Sequence, residues 1–330
     1  MVVTVRVNSL KPLTWTPFLS SLNSFNWPFS FVSIPRKHSK LTPLFSQMAT
    51  SEAEPQIMTK IIDSHLHVWA SPQEAAEKYP YFPGQEPSLP GHVDYLLECM
   101  EEAGVDGALI VQPINHKFDH SYVTSALKNF PSKFIGCCLA NPAEDGSGIK
   151  QLEDLVLEMT NEIGKALFSK AGELGVPVGF MCMKGLLLHL QEIEELCTEF
   201  PSTVVLLDHV AFCKPPKNDE ERQVFLELLK LSRFPQVYVK FSALFRVSRN
   251  PYPYEDLSQV LAQLVSSYGA PRIMWGSDFP FIVAECGYKE AREAVSYLAK
   301  QGHLPPSATE WIMGKTVMQL FDGKWSSLVN

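Results

Sequence analysis

Asp63, His65 and His67, in the stretch KIIDSHLHVW from Lys60 to Trp69, set two imidazoles and a carboxylate at i, i+2 and i+4. On a β-strand that spacing turns all three side chains to one face. There they can move a proton, polarise a carbonyl or bind a cation. Ile61, Ile62, Val68 and Trp69 flank them, as in a strand that enters a core and ends at a polar mouth. His-x-His alone is common, and a half-buried strand with a wetted polar face has the same pattern. Downstream, His209 closes VVLLDH and Asp278 closes RIMWGSD. Singly, His209 could cap the next segment and Asp278 could be a helix N-cap. With His65 and His67 they make a convergent set.

Such a set needs elements that bring distant strand ends together. Beyond Lys60 the chain alternates apolar runs with helical patterns, as in a parallel sheet with crossover helices. Seven strands are expected: Ile61 to Trp69, Gly107 to Pro113, Phe134 to Ala140, Pro177 to Cys182, Val204 to His209, Val237 to Ser242 and Arg272 to Asp278. Glycines at Gly104 and Gly175 read as helix ends. A repeat of about 260 residues suits a (β/α)8 TIM-barrel-like fold, whose active sites gather at the C-terminal strand ends. Lys184, Lys240 and Arg246 fall on those ends or the loops after them. They are candidates to bind an acidic or polyhydroxylated substrate, although such residues are often simply solvated; Gln112 and Asn141 are weaker candidates. His92, His116, His120, His189 and His303 read as surface residues.

Composition narrows the classes. The 330 residues are 45% hydrophobic and 19% charged, with a formal net charge of -8. No apolar run of membrane-spanning length occurs, and the acidic balance argues against nucleic acid and anionic lipid as partners. The seven cysteines form no C-x-x-C pair, which suits reduced thiols. Residues 1–57 read as a disordered leader: Arg6, Lys11, Arg36, Lys37 and Lys40 precede any Asp or Glu. This resembles an organellar transit peptide, with a plastid favoured because arginine is scarce. Translation from Met48 would give a cytosolic product. The barrel is expected over residues 58–322, and residues 323–330 as a tail.

Several segments resemble the amidohydrolase-related (amidohydrolase 2) family of the metal-dependent hydrolase superfamily: His65-x-His67, LLDH ending at His209, VYVKFS ending at Ser242, and RIMWGSDFP ending at Pro280. GKTVMQLF from Gly314 to Phe321 is similar to that family's last helix. The resemblance implies a distorted barrel that hydrolyses lactones, amides or related carbonyl compounds, with decarboxylases as a minority branch. For this sequence it implies an acidic lactone as small-molecule substrate and Asp278 as general base on water. His65, His67 and His209 would polarise the carbonyl, directly or by holding a cation. Zinc would accept His65, His67 and Asp278 with water as a further ligand. Asp63 would orient His65, or form an inward salt bridge.

Two departures stand out. The fifth strand carries no histidine, where metal-binding members have one; this suits the lactonase branch, whose metal dependence varies, so the cofactor is either absent or one divalent metal. Cys182 could substitute as a ligand, but a buried structural thiol is the simpler reading. Between Ala140 and Pro177 no fourth strand is recognisable, and a helix opens near Thr160 or Asn161. The barrel is therefore expected to be incomplete, with unpaired edges beside the gap, unless Leu155 to Leu157 forms a short strand. A metal-dependent decarboxylase and an inactive truncated isoform are the competing functions. Oligomeric state is left open.

Overall fold

All seven expected strands form, each ending a residue or more earlier than its apolar run except Val237–Ser242. The computed structural model describes residues 2–5, 60–139, 160, 162–321 and 325. In chain order the strands are β1 (Val2–Val5), β2 (Ile62–Leu66), β3 (Gly107–Val111), β4 (Phe134–Leu139), β5 (Val178–Phe180), β6 (Val205–Leu207), β7 (Val237–Ser242) and β8 (Ile273–Gly276). The helices between and after them are α1 (Pro72–Glu77), α2 (Val93–Ala103), α3 (Ser121–Asn129), α4 (Glu162–Glu173), α5 (Leu190–Glu199), α6 (Asp219–Lys230), α7 (Leu244–Val247), α8 (Leu257–Tyr268), α9 (Phe281–Glu285), α10 (Tyr288–Gln301), α11 (Pro306–Glu310) and α12 (Thr316–Leu320). α2 ends as its glycine requires, with Gly104 at φ 64°, a conformation that costs a side chain-bearing residue energy.

The strands make one 8-stranded sheet in the order β2-β3-β4-β1-β5-β6-β7-β8. Every pairing among β2 to β8 is parallel. The ends of the sheet meet: Asp278 N donates to His65 O and His67 N to Phe279 O, each at 2.8 Å. This closure holds the segments after β2 and β8, which carry His67 and Asp278, against each other.

The expected gap is filled from elsewhere in the chain. Among the described residues no strand lies between β4 and β5 in sequence; Leu155 to Leu157, Asn141 and Asn161 fall outside the described residues. In space, β1 runs antiparallel to both neighbours, pairing Val2–Val5 with Leu139–Gly136 and Val2 and Val3 with Gly179 and Val178. The expectation of a disordered leader therefore fails for these four residues, and the two edges expected to be bare are paired. A β-branched run such as VVTV fits a pleated sheet, and unpaired strand edges attract one. α4 opens at Glu162, where a helix start was expected.

Alternating strand residues divide the core. Ile62, Leu109, Val111, Ile135, Cys137, Leu206 and Met274 face one another inside the barrel with Val317, Phe321 and Trp325 from the C-terminal segment. The opposite faces, including Leu66, Ala108, Ile110, Val239 and Trp275, pack with the surrounding helices. The C-terminal segment thus closes the end of the barrel away from the site. It comes so near that a Cβ on Gly314 would lie 1.8 Å from Lys60 O.

Candidate active site

A slip in β2 decides which polar groups face inward. Pairing of β2 with β3 shifts between Asp63 and Leu66, and one extra residue reverses the alternation of faces. Ile62 therefore lies inside, and so do His65 and His67, whereas Asp63 turns towards α10. Its Oδ1 accepts from the backbone N–H groups of His65 and Ser277, both at 3.0 Å, and its Oδ2 from Tyr288 OH at 2.9 Å. Burial pushes the Asp63 carboxyl up to about 6, against the pull of these hydrogen bonds. Asp63 does not orient the His65 ring, as one face for all three residues would have required. It clamps the backbones that carry His65 and Asp278.

Two buried groups meet the His65 ring: Asp208, at the C-terminal end of β6, and Lys240, on β7. His65 Nδ1 lies 3.3 Å from Asp208 Oδ1 and 3.2 Å from Lys240 Nζ, and Lys240 Nζ lies 2.9 Å from Asp208 Oδ1. All three groups are buried. Burial alone would raise the Asp208 carboxyl, but the Lys240 ammonium and then His65 outweigh it and hold it well below the usual carboxylate range. Burial, reinforced by the Lys240 charge, lowers the His65 pKa. The other ring nitrogen, His65 Nε2, is buried and has no hydrogen-bond partner among the described residues.

His209 follows on a left-handed turn. His209, Val210, Ala211 and Phe212 all have φ between 51° and 56°, a strained conformation for non-glycine residues. Ser242 holds it there: its Oγ accepts from His209 N at 3.2 Å and lies 2.8 Å from His209 Nδ1. The His209 ring is 4.5 Å from that of His65. Burial, then the neighbouring His65 charge, pushes His209 down to about 3, so it works as a neutral imidazole.

Asp278, at φ 65°, closes the cluster. Its Oδ2 accepts from Arg246 Nε at 2.7 Å, while its Oδ1 stands 3.4 Å from His67 Nε2. Burial would raise this carboxyl; its contact with His67, then the pull of His209 and His65, outweighs burial and keeps it well below the usual range. His67 in turn donates through Nδ1 to the Val111 carbonyl at 3.0 Å. Arg246, on α7, lies over the Phe245 and Phe281 rings at 4.7 and 4.9 Å. β8 can approach this closely only because residue 276 is glycine: a Cβ there would be 2.8 Å from His65 Cβ.

The other expected site residues fall differently. Lys240 faces inward, but it is spent on Asp208 and His65 and does not project towards a ligand. Arg246 pairs with Asp278. Gln112 is buried and donates to the Lys117 and Asp119 carbonyls at 3.0 and 2.9 Å, which ties down the loop after β3. Lys184 is exposed on the loop after β5. Cys182 is buried, its thiol pushed up to about 12 by burial. The surface expectation for the remaining histidines holds for His303 and fails for His116 and His189, both buried; His116 Nε2 accepts from Ala70 N at 3.2 Å.

His65, His67 and Asp278 each offer a ligand-type atom, all within 4.8 Å of one another. Two of them suit a metal. With its Nδ1 proton on Val111, His67 presents a bare Nε2 to the Asp278 carboxylate, and two acceptors facing each other call for a proton or a cation between them. The third suits it poorly, because an ammonium approaches His65 Nδ1 where a ligating histidine would have an acceptor.

The strand mouths of this barrel thus bring together a His-x-His pair, a third histidine and an aspartate. The family model described as Amidohydrolase matches residues 62–322, and the chain belongs to that family. The 4-sulfomuconolactone hydrolase of Hydrogenophaga intermedia is 24% identical over 233 residues, 66% of this chain and 74% of the relative. The D-galactarolactone isomerase of Agrobacterium fabrum is 21% identical over 274 residues, 78% of this chain and 86% of the relative. Among solved structures, a candidate 2-pyrone-4,6-dicarboxylic acid hydrolase from Pseudomonas putida superposes with TM-score 0.63 at 23% identity, covering 80% of this chain and 98% of the other. A zinc-bound amidohydrolase from Burkholderia multivorans gives 0.60 at 18% identity, over 79% and 99%. The 2,6-dihydroxybenzoate decarboxylase from Rhizobium gives 0.55 at 13% identity, over 80% and 99%.

Proposed function

We propose that this protein opens the ring of a small acidic lactone by attack of water, with Asp278 as the base. The observation that carries the reading is a buried, ionised carboxylate whose Oδ2 is fixed by Arg246, so that Oδ1 is the oxygen left to take a proton. In the attack, water gives that proton to Asp278 Oδ1 and its oxygen adds to the carbonyl carbon. Negative charge grows on the carbonyl oxygen and needs donors already in place. His209 supplies one: the Ser242 hydroxyl makes its shorter contact, 2.8 Å, with His209 Nδ1 and a longer one, 3.4 Å, with Lys240 O. Given to Nδ1, the hydroxyl proton leaves the imidazole proton on Nε2. His65 Nε2, unpartnered and buried, is the second. Collapse breaks the ring C–O bond, and Asp278 passes its proton to the leaving oxygen. A cation held by His67 and Asp278 would add Lewis-acid polarisation of the carbonyl.

The lactone-directed names among the relatives support this reading, and so does the missing fifth-strand histidine. The inactive-isoform reading rested on unpaired edges beside the gap, which β1 pairs. The decarboxylase reading is separated by assay. Sugar-acid and pyrone lactones, offered to the full-length protein with and without chelator, should be hydrolysed with release of one proton per ring opened, recorded with a pH indicator. Carbon dioxide released from an unsaturated or aromatic acid, with every lactone left intact, would replace this reading with the decarboxylase. For localisation, the acid-free leader supports a plastid address that stays on the protein, because β1 lies within it; fluorescence of a fusion to residues 1–57 that stays in the cytosol would reject it.

A further inference from the structure

Among the described residues Lys240 is the only buried lysine, at 1% exposure inside the barrel. A buried ammonium persists only where partners repay its desolvation, and here there are two: Asp208 at 2.9 Å and the His65 ring at 3.2 Å. The second contact has a chemical consequence. An ammonium has donors and no acceptor, so the His65 nitrogen that faces it, Nδ1, must be the bare one. Asp208 competes for the same nitrogen from 3.3 Å, and a carboxylate would demand the opposite, a proton on Nδ1. The geometry decides between them: the approach of Lys240 to Nδ1 is the closer one and has the directionality of a hydrogen bond, whereas Asp208 Oδ1 is held by the Lys240 ammonium at 2.9 Å.

We propose that Lys240 is a positioning residue that sets the tautomer of His65: anchored on Asp208, it donates to Nδ1 and holds the ring proton on Nε2, so that His65 donates to the substrate carbonyl and does not ligate a metal. The use made of that N–H rests on the lactone reading above; the tautomer itself does not. With Lys240 removed, Asp208 remains beside Nδ1 as the sole partner. The proton then moves to Nδ1, Nε2 becomes a lone pair, and Asp208, His65 and the vacant Nε2 form the carboxylate–histidine arrangement found behind metal ligands. Lys240 is in this sense the residue that keeps a His-His-Asp cluster from being a strong metal site.

The test uses the full-length protein stripped with chelator, in wild-type form and as Lys240→Met and Lys240→Arg. Long-range ¹⁵N–¹H correlation of the imidazoles, with His65 assigned by its loss in His65→Asn, reads the tautomer directly. The expected result is an Nε2–H ring for His65 in the wild type and in Lys240→Arg, and an Nδ1–H ring in Lys240→Met. Zinc titration by calorimetry should show Lys240→Met binding about 10- to 100-fold more tightly than wild type, the range by which partners behind the ligands alter metal affinity. An Nδ1–H ring in the wild type overturns the proposal whether or not either variant folds. So does a Lys240→Met protein that keeps the Nε2–H ring or binds zinc no better. If the tautomer is as stated and no lactone is opened, the reaction assigned above fails and the role of Lys240 stands.

Discussion

Asp63 allows a stability experiment whose size and sign both follow from its surroundings. Its carboxyl is raised from 3.8 to about 6, chiefly by burial. At about 1.4 kcal/mol per tenfold change in proton affinity, that is worth about 3 kcal/mol. Because the folded state binds the proton more tightly than the unfolded chain, the group is least unfavourable below about pH 4. Its contribution worsens as pH rises to about 6 and is constant above. Asp63→Asn removes the charge yet keeps an oxygen for the His65 and Ser277 N–H groups, while Tyr288 OH can accept from the new amide. Relative to wild type, Asp63→Asn should therefore gain about 2 to 3 kcal/mol between pH 4.5 and pH 7.5. Other titrating groups cancel in that difference. Asp63→Ala is the control: it strands three buried donors and should lose about 1–3 kcal/mol for each. Urea denaturation of the three proteins across that range supplies the numbers. An Asn-minus-wild-type difference that stays flat with pH, or falls as pH rises, would refute the reasoning.

Three further outcomes follow from the same geometry. Arg246→Met leaves the buried Asp278 carboxylate without its 2.7 Å partner; stability should fall by about 2–3 kcal/mol, less than for a fully buried pair because Arg246 is partly exposed. The acid limb of its pH–rate profile should also move to higher pH. Gly276→Ala forces a methyl against His65 and should cost about 1–3 kcal/mol in melting experiments, with a loss of turnover greater than any loss of substrate affinity. A chain started at Met48 lacks β1 and exposes the facing edges of β4 and β5, so its melting temperature should lie several degrees below that of the full chain; equal melting temperatures would remove β1 from the barrel.

Much of the barrel was readable because its strands are apolar runs bounded by glycine and helix punctuation, and the four groups at its mouth were readable because histidine and aspartate are conspicuous at the ends of such runs. What stayed hidden is long-range or register-dependent. Nothing local in VVTV, some 130 residues from its partner β4, says that it joins this sheet. The slip between Asp63 and Leu66 reverses the face of Asp63, and period-two counting along DSHLH assumes that no such slip occurs. Asp208 and Lys240 both stand at recognised strand ends, yet their mutual contact is a tertiary fact; a lysine in the otherwise apolar strand VYVKFS was the available signal that its ammonium is buried against a carboxylate. Gln112 could be told from a substrate ligand only once the loop after β3 was seen to fold back over it.

The claim on which the functional account turns is that Asp278 Oδ1 takes the proton from water. Asp278→Asn keeps the volume and can still accept from Arg246, so the fold and substrate affinity should survive. Turnover of the lactone should drop by about 10²- to 10⁴-fold, the usual worth of a general base. A variant that remains within about tenfold of wild-type turnover, at any pH where both are folded, would contradict the account.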